Sequence, residues 1–271
     1  MPSVTSLPDY NKFTLLFQNL YRATFLWQYG PIPIPVSVFL VHVPSVISPS
    51  SVTSSYSVLI DAGHRSHVES LSSALSTHLQ SHPEFPLKYV FLTHGHHDHT
   101  AALPTLLRAY PELKVVIARN EYPFVVEGEK YRDCTGDTCI FQLFKGLAEE
   151  SKVKVDKEYV MVIESGEEEN TIFGNAVKVV RTNGHTPGSL SFLHIPSNSL
   201  VCGDALMNLA FLTSSPSLSL PVTAFTVSVS GARSSIKQIS ERQDVDYVMP
   251  AHDLSFGGVP IEKVREFASK L

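Results

Sequence analysis

The sequence predicts an α/β fold of packed layers, and three observations predict it. Apolar runs of about four to eight residues recur along the chain and stop at Gly, Pro, Asp or His, as buried strands do. Their order gives hairpins first, then helix, strand, helix and strand, the pattern of helices layered on sheets. Reactive side chains sit at the ends of these runs, where such folds assemble their sites.

Taken in order, residues 11–28 alternate loosely through Phe13, Leu15, Phe17, Leu20, Tyr21 and Phe25, as edge strands joined by a turn. A Pro-rich turn at 31–35 precedes the strand 36–43, and a Ser/Pro-rich loop over 44–55 leads to the returning strand 56–60. Ser66 and Glu69 have the spacing of a capping box, opening a helix with Val68, Leu71, Leu75 and Leu79 on one face that closes before Pro83. Strand 88–92, a helix over 101–110 and strand 113–118 follow. Residues 120–158 are less regular, with a helix expected near 141–150. Cys134 and Cys139 lack a second pair, so a reduced loop is favoured over a metal or redox pair.

Strand 159–163 leads to the acidic run 164–169, read as a solvated loop. Strands within 171–182, at 190–195 and at 200–202 come next. The connection 206–230 is apolar and Ser-rich without a period, 231–242 is helical, 246–249 is a strand, and 260–271 is an amphipathic helix.

Composition narrows the function classes. Hydrophobic residues are 43% and charged residues 17% of 271, a globular balance that can bury a sizeable core. The net charge of −5 argues against general affinity for nucleic acid or an anionic membrane. Three cysteines are no disulfide framework, residues 1–9 carry neither a basic nor an apolar segment, and the apolar stretch 25–47 is broken by Gly30, Pro31, Pro33, Pro35 and Pro44. A cytoplasmic protein acting on a small molecule is the expectation.

Thr93-His94-Gly95-His96-His97-Asp98-His99-Thr100 follows the apolar run Tyr89–Leu92. Neutral imidazoles and a carboxylate aimed at one point from a strand end are what a transition metal needs. Asp61, His185, Asp204 and His252 each also follow a β-type run and sit beside Gly or a Pro-bounded turn. Converging, these residues make two metal positions possible.

The ordered series Leu59-Ile60-Asp61-Ala62-Gly63, then Thr93 to His99, then Gly184-His185-Thr186-Pro187-Gly188-Ser189, then Gly203-Asp204, then Pro250-Ala251-His252 resembles the motif series of the metallo-β-lactamase superfamily over residues 36–255. The resemblance implies a four-layer αββα sandwich in a single domain spanning 1–271, with a dinuclear site at one sheet edge. It implies that His94, His96 and His185 hold one metal, that Asp98, His99 and His252 hold the other, and that Asp204 bridges. Asp61 would support the site from behind the ligands. This donor set suits two zinc ions, and iron, manganese or cobalt share the ligand types.

Two cations lower the pKa of a shared water and give a bridging hydroxide near neutral pH. One can polarise a carbonyl while the other stabilises the leaving group, and Asp98 is the nearest carboxylate able to pass a proton. The expectation is a dinuclear zinc hydrolase of a lactone, ester, thioester or cyclic amide. The bridging Asp204 resembles the lactonase and glyoxalase II-like branches rather than the true β-lactamases, which lack it. Lactonases often carry a Tyr after the bridging Asp, where this chain has Ala205 to Asn208; Tyr122 or Tyr131 are candidates to replace it. The glyoxalase II branch usually adds a C-terminal helical domain, and only Asp253 to Leu271 follow His252 here, which counts against that assignment.

Apolar residues over 206–225 either wall the metals or pack under a long loop, and a wall would suit an apolar substrate. Tyr122, Met207 and Phe211 are the substrate-contact candidates. An iron-dependent persulfide dioxygenase and a non-catalytic binding module on the same fold are the alternatives. Among the other histidines, His97 is expected to point away from the metals. His64 and His67 either border the cleft or lie on the surface, and His42, His78, His82 and His194 are read as structural.

Overall fold

The computed structural model describes residues 10–29, 32–45, 47–48, 51–52, 54–131, 153–210, 215–255 and 257–271. β1 (Thr14–Phe17) and β2 (Leu20–Tyr29) form an antiparallel hairpin that turns through Asn19 at φ 62°, a left-handed conformation that Asn tolerates. β3 (Ile32–Val43) pairs with β2 along its whole length. Its side chains alternate between two hydrophobic clusters, Val38 and Leu40 on one face, Phe39, Val41 and Val43 on the other. Both faces are covered, which is why the run is apolar without a gap.

A short ribbon, β4 (Ile47–Ser48) with β5 (Ser51–Val52), leads into β6 (Tyr56–Ile60). β7 (Leu87–Phe91), β8 (Lys114–Ala118) and β9 (Val160–Ile163) complete a seven-stranded sheet in the order β1-β2-β3-β6-β7-β8-β9. β10 (Ile172–Phe173), β11 (Val177–Arg181), β12 (Leu190–His194) and β13 (Ser199–Gly203) begin a second sheet. β14 (Met207–Ala210) and β15 (Ser215–Ser219) make a separate ribbon, and β16 (Tyr247–Pro250) and β17 (Val259–Pro260) finish the second sheet, ordered β10-β11-β12-β13-β16-β17.

Three clusters mark the interfaces between layers. The first packs the outer face of the seven-stranded sheet against α1 (Val68–Ser81), through Leu71 and Leu75. α2 (His97–Thr100) leads into α3 (Leu103–Ala109), which adds Leu103 and Leu106. α4 (Tyr122–Val125) closes that side with Val125. The second cluster lies between the sheets, where Val58, Ile60, Phe91 and Val116 meet Val177, Leu190, Phe192 and Met249. The third packs the other sheet against α5 (Val229–Glu241) and α6 (Ile261–Ala268) through Ile236, Ile239 and Val264. The result is an αββα sandwich, each fully buried Val, Leu, Ile or Phe contributing about 1.5–3 kcal/mol to holding it.

Strand direction sets where chemistry collects. β6, β7, β8 and β9 run parallel, and β13 runs parallel to β16. β11 and β13 are each antiparallel to β12 and therefore parallel to one another. Asp61, Thr93–His99, His185, Asp204 and His252 all follow the carboxyl ends of these strands.

Several local expectations are corrected. Residues 32–35 are strand, not turn. Pro33 and Pro35 share parity with Ser37, whose N–H points away from β2 to the Ala251 carbonyl at 2.9 Å, so no ladder bond to β2 is lost. The capping box does not form. Ser66 Oγ pairs with His64 Nδ1 at 2.8 Å, and residues 65–67 make a 3-10 turn before α1. His64 and His67 are buried rather than on the surface, stacked on Trp27 and Phe25. Glu168 in the acidic run is buried and accepts the Gly166 N–H at 2.7 Å. The connection after Asp204 contains the β14–β15 ribbon. Cys134, Cys139 and the helix expected near 141–150 lie outside the described residues.

Candidate metal centre

His94 leaves β7 after the buried Leu92 and Thr93, and a sharp turn at Gly95 brings His96 alongside it. His185 enters from the end of β11. There Gly184, at φ 138°, packs its Cα against the backbone of Gly231 and Ala232 at the start of α5, so a Cβ would collide with Ala232. The three rings meet closely. His94 Nε2 is 3.0 Å and His185 Nε2 2.9 Å from His96 Nδ1.

Asp98, His99 and His252 form a second group. His252 Nε2 lies 3.3 Å from Asp98 Oδ2, and His99 Nε2 lies 3.8 Å from the same oxygen. Asp204 stands between the groups. Its Oδ1 is 3.3 Å from His99 Nε2, and its Oδ2 is 3.4 Å from His252 Nε2 and 3.6 Å from His185 Nε2.

Four of the rings, His94, His99, His185 and His252, are aimed from behind. His99 Nδ1 donates to Asp61 Oδ2 at 2.7 Å, and Asp61, held at φ 63°, also accepts the Thr93 N–H at 2.8 Å. His252 Nδ1 donates to the Pro35 carbonyl at 2.7 Å. His94 Nδ1 meets Thr93 Oγ1 at 3.1 Å, and His185 Nδ1 meets Thr226 Oγ1 at 3.2 Å. Such partners fix the tautomer and leave the other nitrogen as a lone pair facing inward.

That arrangement is what a cation needs. A carboxylate and a carbonyl only accept, so the Nδ1 atoms of His99 and His252 carry the protons and their Nε2 atoms present lone pairs to Asp98 and Asp204. His99 Nε2 and Asp204 Oδ1 are buried and make no hydrogen bond. Lone pair against lone pair is repulsive until a proton or a metal ion enters. Burial opposes a proton on His252, yet Asp204 and Asp98 outweigh it and push the ring up to about 10. Burial likewise drives His185 down to about 4 and holds His94 and His96 well below the usual imidazole range, so that trio is neutral. The donor atoms fall into groups that could hold a divalent ion, His94, His96 and His185 in one and Asp98, His99 and His252 in another, with Asp204 grouped with His94 and His99 between them.

Not every candidate reaches this centre. Tyr122 packs into the outer core and beneath the Arg119 guanidinium at 5.5 Å. Met207 is buried in β14, and Phe211 lies outside the described residues. Leu206, Leu218 and Leu220 join the cluster under α5 and α6 rather than walling the metals. Phe225 does face the site, 6.5 Å from the His96 ring, and Tyr131 lies 4.8 Å from that ring, edge to face. His97 points instead into an aromatic flank with His64 at 5.1 Å and Trp27 at 5.7 Å.

One organising residue has no sequence signal. Glu121, 1% exposed, accepts the Gly95 N–H at 2.9 Å and the Gly188 N–H at 2.8 Å. It also accepts the Thr186 hydroxyl at 2.7 Å and the Tyr131 hydroxyl. It thereby ties the His94–His96 turn to the loop after His185.

The family model described as "Metallo-beta-lactamase superfamily" matches residues 45–252. The chain belongs to the metallo-beta-lactamase superfamily. It is similar to uncharacterized protein YobT of Bacillus subtilis (strain 168), 27% identical over 70% of this chain and 68% of that one. It is also similar to hydroxyacylglutathione hydrolase of Actinobacillus pleuropneumoniae, 29% identical over 45% of this chain but 37% of that enzyme. Among solved structures, the metallo-beta-lactamase from Pontibacter korlensis superposes at a TM-score of 0.64, with 18% identity, covering 95% of this chain and 97% of that one. At that identity the likeness concerns the fold. Superfamily membership and these side chains make the protein a metal-binding member of a metallo-hydrolase family. No described helix is long and apolar enough to cross a membrane.

Proposed function

We propose that the chain is a dinuclear metal-dependent hydrolase, zinc being the favoured ion, that opens a small carbonyl substrate. The observation that carries this reading is Asp204, whose two oxygens face both histidine groups within 3.3–3.6 Å. Two divalent ions held there would supply Lewis acidity and an activated water. The protein's own part is positioning and proton handling. Asp61, Thr93, Thr226 and the Pro35 carbonyl lock the rings. Asp98, buried yet at the cleft with Oδ1 3.8 Å from His97 Nδ1, is placed to hand a proton to a leaving group.

The aromatic rings of Phe225 and Tyr131 against His96 favour an apolar acyl or aryl substrate over a highly charged one. The Tyr131 hydroxyl already engages Glu121 and the Gly95 N–H, which suits a structural role better than activation of a substrate carbonyl. Similarity to the hydroxyacylglutathione hydrolase supports thioesters as one class to test.

The test is a panel of apolar lactones, aryl esters, thioesters, cyclic carbamates and a chromogenic β-lactam offered to chelator-stripped and zinc-reloaded protein. Hydrolysis of at least one carbonyl class is expected to vanish on stripping, return on reloading and exceed that of the β-lactam. Turnover unchanged by complete stripping would refute the reading.

A further inference from the structure

At the other end of the seven-stranded sheet lies a second histidine cluster that the hydrolytic centre does not use. His42 is on β3 opposite Ser57, the second residue of β6, whereas Asp61 follows that strand's far end. His78 occupies the last turn of α1, and His82 is the residue that caps it. This i, i+4 spacing puts two imidazoles on one helix face. His42 has the parity of Val38 and Leu40, so it faces the same side of the sheet as α1.

We propose that His42, His78 and His82 form a separate metal site for a borderline divalent ion such as Zn2+, Ni2+ or Cu2+. One ring nitrogen from each lies within 4.8 Å of the others, and His42 Nε2 is 3.1 Å from His78 Nε2. His82 Nδ1 donates to the His78 carbonyl at 2.9 Å, which leaves its Nε2 as a lone pair. The His82 ring stacks on His78 with centroids 4.4 Å apart, so ion binding requires His82 to turn out of that stack to reach the roughly 3.3 Å nitrogen spacing of a tetrahedral ion with bonds of about 2.0–2.1 Å. The hydrogen bond between the two Nε2 atoms holds one proton. Metal binding moves it to Nδ1 of the same ring, so both ligands stay neutral.

Four further features favour a cation here over plain ring packing. Burial drives His42 down to about 3 and His78 to about 4, so both are neutral donors rather than imidazolium ions. The cluster sits at the C-terminal end of a 14-residue helix, where the macrodipole favours positive charge. Phe85 stacks on His42 at 4.4 Å and Tyr21 meets His78 edge-on at 4.5 Å, which fixes the rings before any ion arrives. Beside them a cleft of about 620 Å³, bordered by His78, His82, Ser81 and Asn11, gives the ion access and room for a water ligand. Three imidazoles with an open position suit zinc, nickel or copper better than calcium or magnesium, which prefer oxygen.

The experiment counts metal. Chelator-stripped wild-type chain and the His82→Gln and His78→Gln variants are equilibrated at one free Zn2+ concentration, and bound zinc per folded chain is measured by mass spectrometry. Each variant is expected to hold one equivalent fewer than wild type, with an unchanged far-UV spectrum. The comparison is a difference, so it does not depend on how full the hydrolytic centre is. Equal zinc in wild type and His82→Gln overturns the proposal, as does loss of more than one equivalent. His82 lies just beyond the last helical residue whereas His78 is inside the helix, so the His82 variant decides the matter even where His78→Gln perturbs packing.

Discussion

Asp204→Asn is expected to reduce kcat/KM by more than the roughly 100-fold that loss of a partner behind a ligand costs, and to lower the metal bound per chain relative to wild type. Asn keeps the volume of Asp, and position 204 is buried at the end of β13, so the fold is expected to persist in far-UV and thermal measurements. What changes is charge and donor chemistry. Asp98 and Asp204 are the carboxylates that face His252, and the amide leaves one where there were two. Its NH2 end also turns a donor toward nitrogens that must themselves face the ion. His99→Ala is expected to act on the same unit by removing an Nε2 that faces both carboxylates. Because the residues act together, the double variant should be little worse than either single one. Wild-type metal content together with wild-type turnover in Asp204→Asn would remove Asp204 from the reaction.

Much of the fold and of the candidate site is legible in the sequence, for physical reasons that differ from place to place. Central strands such as Tyr56–Ile60 and Leu87–Phe91 are apolar because helices cover one face and the other sheet covers the opposite one. The candidate ligand residues stand out because metal chemistry draws on few residue types and β7 delivers four of them in one loop. Elsewhere the decisive partner was remote. Pro33 and Pro35 read as a turn until Ser37 shows which edge of β3 faces β2. The β14–β15 ribbon carries no alternation to read, since it is held by one short pairing and by Asn208 bonding to His252 and Asp253. His42, His78 and His82 look structural in sequence because β3 and α1 bring them together only after folding.

Glu121→Ala is expected to cost stability and metal together, and it separates holding the site from binding in it. Glu121 lies in a 3-10 turn after β8, in a stretch with no hydrophobic period and no neighbouring ligand motif. Its four donors come from Gly95, Tyr131, Thr186 and Gly188, so nothing local in the chain announces it. Burial pushes the carboxyl up, while the Tyr131 and Thr186 hydroxyls and the two glycine N–H groups pull it back toward the carboxylate. Truncation strands the buried Gly188 N–H and leaves the Gly95 N–H with the Tyr131 hydroxyl alone, so a loss on the order of 1–3 kcal/mol is expected in chemical denaturation. Glu121→Gln keeps the volume but must set its NH2 against one of those N–H donors, because each oxygen serves one glycine. It is therefore expected to fall between wild type and Glu121→Ala. Loosening either loop moves His96 or His185 relative to His94, and metal affinity is expected to drop by roughly 10–100-fold. Saturating zinc should then restore turnover in Glu121→Gln, as it cannot in Asp204→Asn, because all the ligands remain. A Glu121→Gln protein with wild-type stability and wild-type zinc affinity would show that the two loops hold each other without the carboxylate.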